Sequence, residues 1–584
     1  SLSWLWAYCL LGDVANQRPG FRDQFLRSIS VHGRAIERYL STYFSPNTHL
    51  LGEAGALFFI GALCPELPSA ERWKDLGWTI TLQEAQRQVN ADGLHFEQSL
   101  YYHVYAVDFF LHARILAARN GIAIPPDYDA ILERMLNALA VLGRTGNVPR
   151  IGDDDGGRLF DGRRNRTEHM LDPLSTGAVV YQRGDFKLLA HGLREETLWL
   201  LGTEGACVFD DLPERQPELK SVAFTESGLY VMNNSESQII VDAGRLGAGS
   251  GGHGHADALS VFVSNENGPV LIDSGTFEYV GDGPERNQFR STSAHNTLTI
   301  DGVSQPEPRG PFAWSHHPKT TAEKWINGEH FDFFAGSHDA YAKLSSPAIH
   351  RRFVFSLKQR FWLVRDLIQG SGEHKLESYW HLAPGFASGN RFVHQNGTVL
   401  DVLTPEGTTW SKQIETGEWS PAYGESQPAP VLHFSTVASL PMEFVTLFRS
   451  RQNASVPVGS LNAIGKNAAV SGYVYLDDAE EHRMFFSDSG EPWSLEDWSS
   501  DVEFLYWRHD RKRDRVMLIV CGGSSVSFAG REVVTSPTRV SYCEVLWENG
   551  SVKISGPESE AVSVKEIRLG EPMLSASARQ LAQG

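Results

Sequence analysis

The segments Gly228-Leu-Tyr-Val-Met232, Ser237-Gln-Ile-Ile-Val241 and Ala258-Leu-Ser-Val-Phe-Val263 decide the fold. Each is short, rich in β-branched or aromatic residues, and bounded by Gly, Asn, Asp or Ser, which is how strands ending in turns read. Pro269-Val-Leu-Ile272, Thr297-Leu-Thr-Ile300, Phe361-Trp-Leu-Val364, Val516-Met-Leu-Ile-Val520 and Ser551-Val-Lys-Ile554 continue the pattern. No helical stretch of comparable length separates them, so antiparallel sheets packed face to face are expected rather than βαβ units. Upstream the period changes. Gly20–Phe44, Trp73–Asn90, Tyr101–Asn120 and Tyr128–Leu142 repeat apolar residues at helical spacing, and Gly121 and Gly143 end two of them. Helices of this length on short polar links imply stacked antiparallel hairpins. The fold class is therefore multidomain α+β, with a helical domain at 1–200 and a large antiparallel β-sandwich domain at 201–584. The change itself falls between Asp155 and Ser221. Ser575–Gly584 reads as a frayed tail.

Composition narrows the function. The chain has 584 residues, 41% hydrophobic and 21% charged, with 52 Lys and Arg against 71 Asp and Glu, a net charge of −19. Its summed field repels polyanions, which argues against general nucleic-acid or anionic-membrane binding. Five widely spaced Cys without a CxxC give neither a zinc finger nor a disulfide scaffold. No apolar run reaches the length of a transmembrane helix. The apolar opening Ser1–Leu11 lacks a basic n-region and is read as the middle of a helix with residues missing upstream, not as a signal peptide.

The densest chemical cluster is Gly249-Ser-Gly-Gly-His-Gly-His-Ala-Asp-Ala258. Glycine allows close backbone approach and unusual torsions around His253 and His255. Asp273 ends the strand Val270-Leu-Ile272, and Ser293-Ala-His-Asn-Thr-Leu298 puts His295 at the start of another. His255, Asp273 and His295 are suitable ligands for a divalent metal such as zinc, which favours imidazole nitrogen and carboxylate oxygen. Taken singly, each His also fits a loop cap. In the helical half, Asn47 and His49 precede an apolar helix, where Asn47 also fits a plain N-cap. The segment Asp92–Tyr105 gathers His95, Glu97, Tyr101, Tyr102, His103 and Tyr105, which fit core aromatics equally well.

Together these motifs resemble the heparinase II/III-like polysaccharide lyases. The resemblance rests on Gly252-His-Gly-His-Ala-Asp257, Asp273-Ser-Gly275 and Ser293-Ala-His-Asn-Thr-Leu298, with Asn47-Thr-His-Leu-Leu51 and Asp92-Gly…Glu97…Tyr102-His103 as the helical half of the same site. It implies an incomplete (α/α) toroid followed by β-sandwich layers, and a β-elimination at a uronic-acid sugar. The chain departs from the pattern where Thr48 separates Asn47 from His49 and where the tyrosine is doubled, so Tyr101 and Tyr102 both stand as candidates. Asn47 and His49 are assigned to the substrate carboxylate, Tyr102 to the acid (and base for one epimer), and His253 to the opposite-face base or to lowering the tyrosine pKa. Glu97, Tyr101, Tyr279, Arg290 and His381 are assigned to substrate contact. His255, Asp273 and His295 are implied to hold a structural metal, zinc being the first choice.

An acidic polysaccharide is the expected partner, with a homodimer allowed and neither nucleic acid nor membrane insertion expected. A periplasmic or secreted bacterial location is expected, the cytoplasm staying open. Arg150, Arg158, Arg163, Arg164, Arg166, Arg286, Arg290 and Arg309 are the cations that could gather a polyanion into a cleft of an acidic protein. Two other readings compete. A glycoside hydrolase would need two carboxylates, such as a pair from Asp153-Asp-Asp155 or Glu53 with Glu97. A non-catalytic carbohydrate-binding protein would need none.

Overall fold

The computed structural model describes residues 1–159, 167–281, 283–387, 391–452, 455–477, 479–548 and 550–565. Arg163, Arg164, Arg166 and the tail Ser575–Gly584 lie outside the described residues.

The helical half contains α1 (Leu2–Leu11), α2 (Asp13–Asn16), α3 (Phe21–Arg38), α4 (Thr48–Leu63), α5 (Ala70–Gln88), α6 (Leu100–Arg119), α7 (Pro126–Leu142), α8 (Asp172–Tyr181), α9 (Gly184–Leu189) and α10 (Glu195–Asp211). The four periodic segments match α3, α5, α6 and α7. The short α8 and α9 carried too few turns for a periodic signal. Helix α10 breaks at Gly202, whose φ is 68°, and the first strand begins at Val222. The change of structure thus falls between Asp211 and Val222, and a division at 200 cuts α10 just before its break.

Helix α4 is apolar on every side and buried along most of its length. It pairs with α5 at unusually close range. A Cβ on Gly77 would stand 2.5 Å from the Ala54 carbonyl oxygen and the Phe58 nitrogen of α4, and Gly61 is pressed in the same way against α5.

The β half stacks in layers. The first sheet orders β1 (Val222–Phe224), β2 (Leu229–Asn233), β3 (Ser237–Asp242), β4 (Val261–Asn265) and β5 (Gly268–Leu271), all antiparallel. Its side chains alternate with period two. Leu229, Val231, Ile240 and Phe262 join the helical core. Tyr230, Met232, Ile239, Val241 and Val263 face the next layer. That layer comprises a four-stranded and an eight-stranded sheet, the latter built around β8 (Phe331–His338), β9 (Ala348–Leu357) and β10 (Phe361–Gly370) once β6 (Leu298–Ile300) and β7 (Thr320–Asn327) have passed. Phe333, Phe355 and Leu363 turn outward onto Met484, Tyr506 and Ile519 of a ten-stranded sheet, which buries a further apolar face of its own. Both faces of the first sheet are covered, which explains why β2 is buried at every residue. Among the described residues, no helix is long and apolar enough to cross a membrane.

The α4–α5 contact has no room for a methyl group on backbone atoms. Gly77→Ala should therefore destabilise the chain by about 1–3 kcal/mol, read from urea unfolding. A change near zero would show that the two helices separate without penalty.

Candidate active site

The site forms where the N-terminus of α6, the segment after α7 and the glycine-rich loop after β3 meet. Ser99 caps α6, its Oγ accepting from Tyr102 N at 3.1 Å, and the same hydroxyl donates to the Asp153 carbonyl at 2.6 Å. Asp153 N donates to the His253 carbonyl at 2.8 Å. Gly152, at φ 73°, makes this junction possible, because a Cβ there would lie 2.7 Å from the carbonyl oxygens of both Gln98 and His253.

Asp153 is the hub. Its carboxylate is fully buried and accepts from His253 Nδ1 at 3.0 Å, His255 Nε2 at 3.0 Å and Arg286 NH2 at 2.8 Å, with Arg286 NH1 bonded to it as well. Burial opposes its charge, but the two histidine hydrogen bonds and the Arg286 guanidinium outweigh it and hold Asp153 well below the usual carboxylate range. The same balance acts on His253. Burial pushes the imidazole down, while the Asp153 hydrogen bond and charge, aided by Glu97, raise it above its ordinary value. With Nδ1 bonded to Asp153, His253 turns Nε2 toward the Glu97 carboxylate, 3.7 Å away.

The His253 ring stacks on Tyr102 with centroids 3.9 Å apart. The Tyr102 hydroxyl donates to Asp155 Oδ2 at 3.1 Å and lies 3.2 Å from the Tyr279 hydroxyl. Burial first, then the Asp155, Asp153 and Glu97 charges, push the phenol far above its ordinary pKa, against a smaller lowering by the Tyr279 hydrogen bond. The resting phenol is therefore a proton donor. Arg286 lies over the neighbouring Tyr279 ring at 4.9 Å. Tyr101, one position along α6 and so about 100° round the helix, points into the helical core, where its hydroxyl has no hydrogen-bond partner among the described residues. Of the doubled tyrosines, Tyr102 meets His253.

The structure brings Asn47 into the cluster by way of Glu97. Asn47 caps α4, its Oδ1 accepting from His49 N at 3.1 Å, while Nδ2 donates to Glu97 Oε1 at 2.6 Å. Glu97 also accepts from Thr48 Oγ1 at 2.9 Å. Glu97 is itself buried, so instead of the substrate contact expected of it, it orients Asn47. The ring of His49 is exposed and stands 3.0 Å from Asn47 Oδ1.

Besides Tyr101 and Glu97, two further expected substrate contacts are corrected. Arg290 is fully buried. It bonds to Asn287 Oδ1 and to the carbonyls of Gly310 and Pro311, and it lies over Trp314. Burial and the like charge of Arg286 lower it to about 10. It shapes the loop behind the site. His381 is buried against the Ser293 carbonyl at 3.0 Å and pushed down to about 4, by burial and then by His295, so it is a neutral packing residue. Asp153 and Asp155, weighed from the sequence only as a hydrolase pair, and Arg286, noted there only as a cation, were missed as members of this site. Three consecutive aspartates before glycines read as a solvated turn, and only their contacts with the histidine loop distinguish them.

His255, Asp273 and His295 each offer a ligand atom within 4.8 Å of one another. His255 Nε2 donates to Asp153, which frees Nδ1 as a lone pair. His295 Nδ1 and Asp273 Oδ2 are 2.9 Å apart. The buried His255 Nδ1 and His295 Nε2 have no hydrogen-bond partner among the described residues, and two unsatisfied imidazole nitrogens beside a carboxylate suit a divalent cation. Two further groups have similar spacing: Asp108, His112 and Glu196, and Asp477, Glu480 and His482. Each already holds a cation, because Arg158 bonds to both Asp108 and Glu196 and Arg360 bonds to Glu480.

Comparison with known proteins bears on the family and the fold. A family model described as Heparinase II/III N-terminus matches residues 13–156, and one described as Heparinase II/III-like, C-terminal, matches residues 216–457. A heparin-sulfate lyase of Bacteroides stercoris is 27% identical over 427 residues, which is 69% of this chain and 57% of that protein. One of Pedobacter heparinus is 26% identical over 71% of this chain and 59% of that protein. The chain thus spans less than two thirds of the length of these curated relatives. Among solved structures, the heparan sulfate lyase HepC mutant from Pedobacter heparinus aligns with a TM-score of 0.61 at 21% identity, covering 86% of this chain and 70% of that one. A structure of heparinase III aligns at 0.64 and 19%, covering 81% and 72%. At these identities the structural likeness speaks for the fold: a helical region followed by a large antiparallel sheet-rich domain. The chain belongs to the heparinase II/III-like family.

Proposed function

We propose that the chain is a polysaccharide lyase that cleaves the 4-O-glycosidic bond at a uronic acid of an acidic glycosaminoglycan by β-elimination. The contact that carries this reading is the Tyr102–His253 stack, which sets a phenol donor and an imidazole side by side. The relatives named as heparin-sulfate lyases support the substrate class.

The C5 proton is weakly acidic because the adjacent carboxylate takes up the charge when it leaves. His253 accepts that proton through Nε2, which the Asp153 bond to Nδ1 leaves free and turned toward Glu97. For the other uronate epimer, Tyr102 would approach the proton, handing its own to Asp155. The C4=C5 double bond then forms, the C4–O4 bond breaks, and O4 takes a proton from the Tyr102 hydroxyl. No water is consumed. Asn47 Nδ2 and the exposed His49 supply hydrogen bonds to the substrate carboxylate, whose charge grows toward an enolate. Asn47 Nδ2 already bonds to a carboxylate, that of Glu97. Tyr279 stands beside the leaving oxygen.

A divalent ion, zinc by the donor set, would be held by His255, Asp273 and His295. It would supply positive charge that fixes the glycine-rich loop against the strands bearing Asp273 and His295. The His253 position follows from that loop. A hydrolase reading is disfavoured because the carboxylates it needs are engaged: Asp153 by Arg286, Asp154 by Arg150, Glu53 by Ser41, and Glu97 by Asn47 and Thr48. A periplasmic or secreted bacterial location suits a polymeric substrate.

Three outcomes test the proposal. On heparan sulfate, the parent should generate the ultraviolet absorbance of an unsaturated uronate, and Tyr102→Phe should lower that rate by about 10²–10⁴-fold. Absorbance-free cleavage would point to hydrolysis, and full activity of Tyr102→Phe would remove the acid. Because Asp153 raises the His253 pKa, Asp153→Asn should shift the acidic limb of the kcat/KM profile to lower pH and lower the His253 midpoint seen by NMR. An unmoved midpoint would contradict the coupling. Metal analysis of the purified protein should find about one zinc per chain, and Asp273→Asn should lose it. Equal metal content in both proteins would exclude the site.

A further inference from the structure

Two buried carbonyl groups close in sequence to His255 and His295 lie just outside the strands. Leu259 sits at φ 63° in the turn before β4, and Asn296 follows His295 directly, before β6 begins at Leu298. Both residues are fully buried, so each carbonyl needs a donor that the ladders do not supply. One side chain serves both. Arg352 NH1 donates to the Leu259 carbonyl at 2.7 Å and to the Asn296 carbonyl at 2.6 Å.

Arg352 comes from another sheet. It lies in β9, fully buried, directly across from Asp366 in β10. The Asp366 carboxylate accepts from Arg352 Nε at 2.6 Å and from NH2 at 3.1 Å, and from His350 Nε2 at 2.7 Å. One edge of the guanidinium is thereby fixed on a carboxylate, while NH1 reaches the two carbonyls. Two amides extend the same brace. Asn296 Nδ2 donates to the Val261 carbonyl at 2.9 Å and to the Ile272 carbonyl at 2.8 Å, immediately before Asp273. Gln305 holds Ala258 twice, Oε1 accepting from its N at 2.8 Å and Nε2 donating to its carbonyl at 3.1 Å. The chain leaving the glycine-rich loop, the strand end bearing Asp273 and the turn bearing His295 are thus tied together on the backbone beside each expected ligand.

We propose that Arg352 is a positioning residue which, rooted on Asp366, sets the spacing of His255 and His295 and so the affinity of the His255–Asp273–His295 group for a divalent cation. The inference rests on the metal reading of that group. Arg352 acts through the backbone beside the ligands. Lysine at this position would keep a positive charge opposite Asp366, but it offers a single nitrogen where the planar fork offers three.

The neighbouring residue supplies the control. Arg365, one position from Asp366 and so on the opposite face of β10, is equally buried and bonds to Glu443 and Asp488. Zinc affinity of the full chain, stripped of metal and read by competition with a chromophoric chelator, tests the proposal. Arg352→Lys should weaken zinc binding about tenfold or more, whereas Arg365→Lys should leave it unchanged. Unchanged affinity in Arg352→Lys, or equal weakening in both variants, would overturn the assignment, because the effect would then belong to the stability of the sheet. If Arg352→Lys fails to fold, Gln305→Met must show the weakening instead, and unchanged zinc affinity in that variant overturns the brace as well. A parent chain that takes up no zinc would remove the metal reading. The brace is then decided by the imidazole NMR signals of His255 and His295, which Arg352→Lys must move and Arg365→Lys must not.

Discussion

A single buried carboxylate holds the site together. Asp153 comes from the segment between α7 and α8 of the helical half, and three cationic or polar groups from the β half close on it: His253, His255 and Arg286. An isolated charge at such depth would be strongly unfavourable, and it is stable here only because every lone pair has a donor. The arrangement fixes more than position. By accepting from His253 Nδ1 and His255 Nε2, Asp153 selects both tautomers, turning one free nitrogen toward Glu97 and leaving the other unpaired beside Asp273 and His295. The proposed catalytic and metal-ligating roles, two residues apart in sequence, would thus be separated by one acceptor.

This organisation bears on the conflict between a net charge of −19 and the polyanionic substrate proposed for the chain. Arg150, Arg158 and Arg286, which from the sequence could have drawn a polyanion into the cleft, are bonded to Asp154, to Asp108 and Glu196, and to Asp153. Near the Tyr102–His253 pair, the proposed mechanism assigns recognition of a carboxylate to a few oriented donors, such as the Asn47 amide, rather than to a broad positive field. Among the described residues, Arg309 is the expected cation that remains exposed.

Much of this was legible in the sequence, and the rest was hidden for definable reasons. The period-two strands and the period-3.6 helices gave the two-part architecture because burial imposes those periods directly. The strand expected from Ala258 starts only at Val261, since Leu259 sits at φ 63° in a tight turn against Asp242. His253, His255, Asp273 and His295 were visible through their glycine-rich and strand-end contexts. Tyr101 and Tyr102 could not be separated, because both faces of α6 are buried and the helix gives no polar side to choose by. Arg290 and His381 looked available for a ligand, and only burial shows that backbone carbonyls occupy them. Asp153 gave no signal, as its role arises from a contact 100 residues away along the chain.

The central claim is that the Tyr102 hydroxyl and the His253 imidazole act in one reaction on one sugar. A double-mutant cycle with Tyr102→Phe, His253→Gln and both together, read as kcat/KM for unsaturated product, measures this directly. Strong non-additivity is expected, with the double variant hardly slower than the worse single one, because either loss already disables the step. Effects that multiply independently would mean the two side chains serve separate events, and the shared site would be wrong.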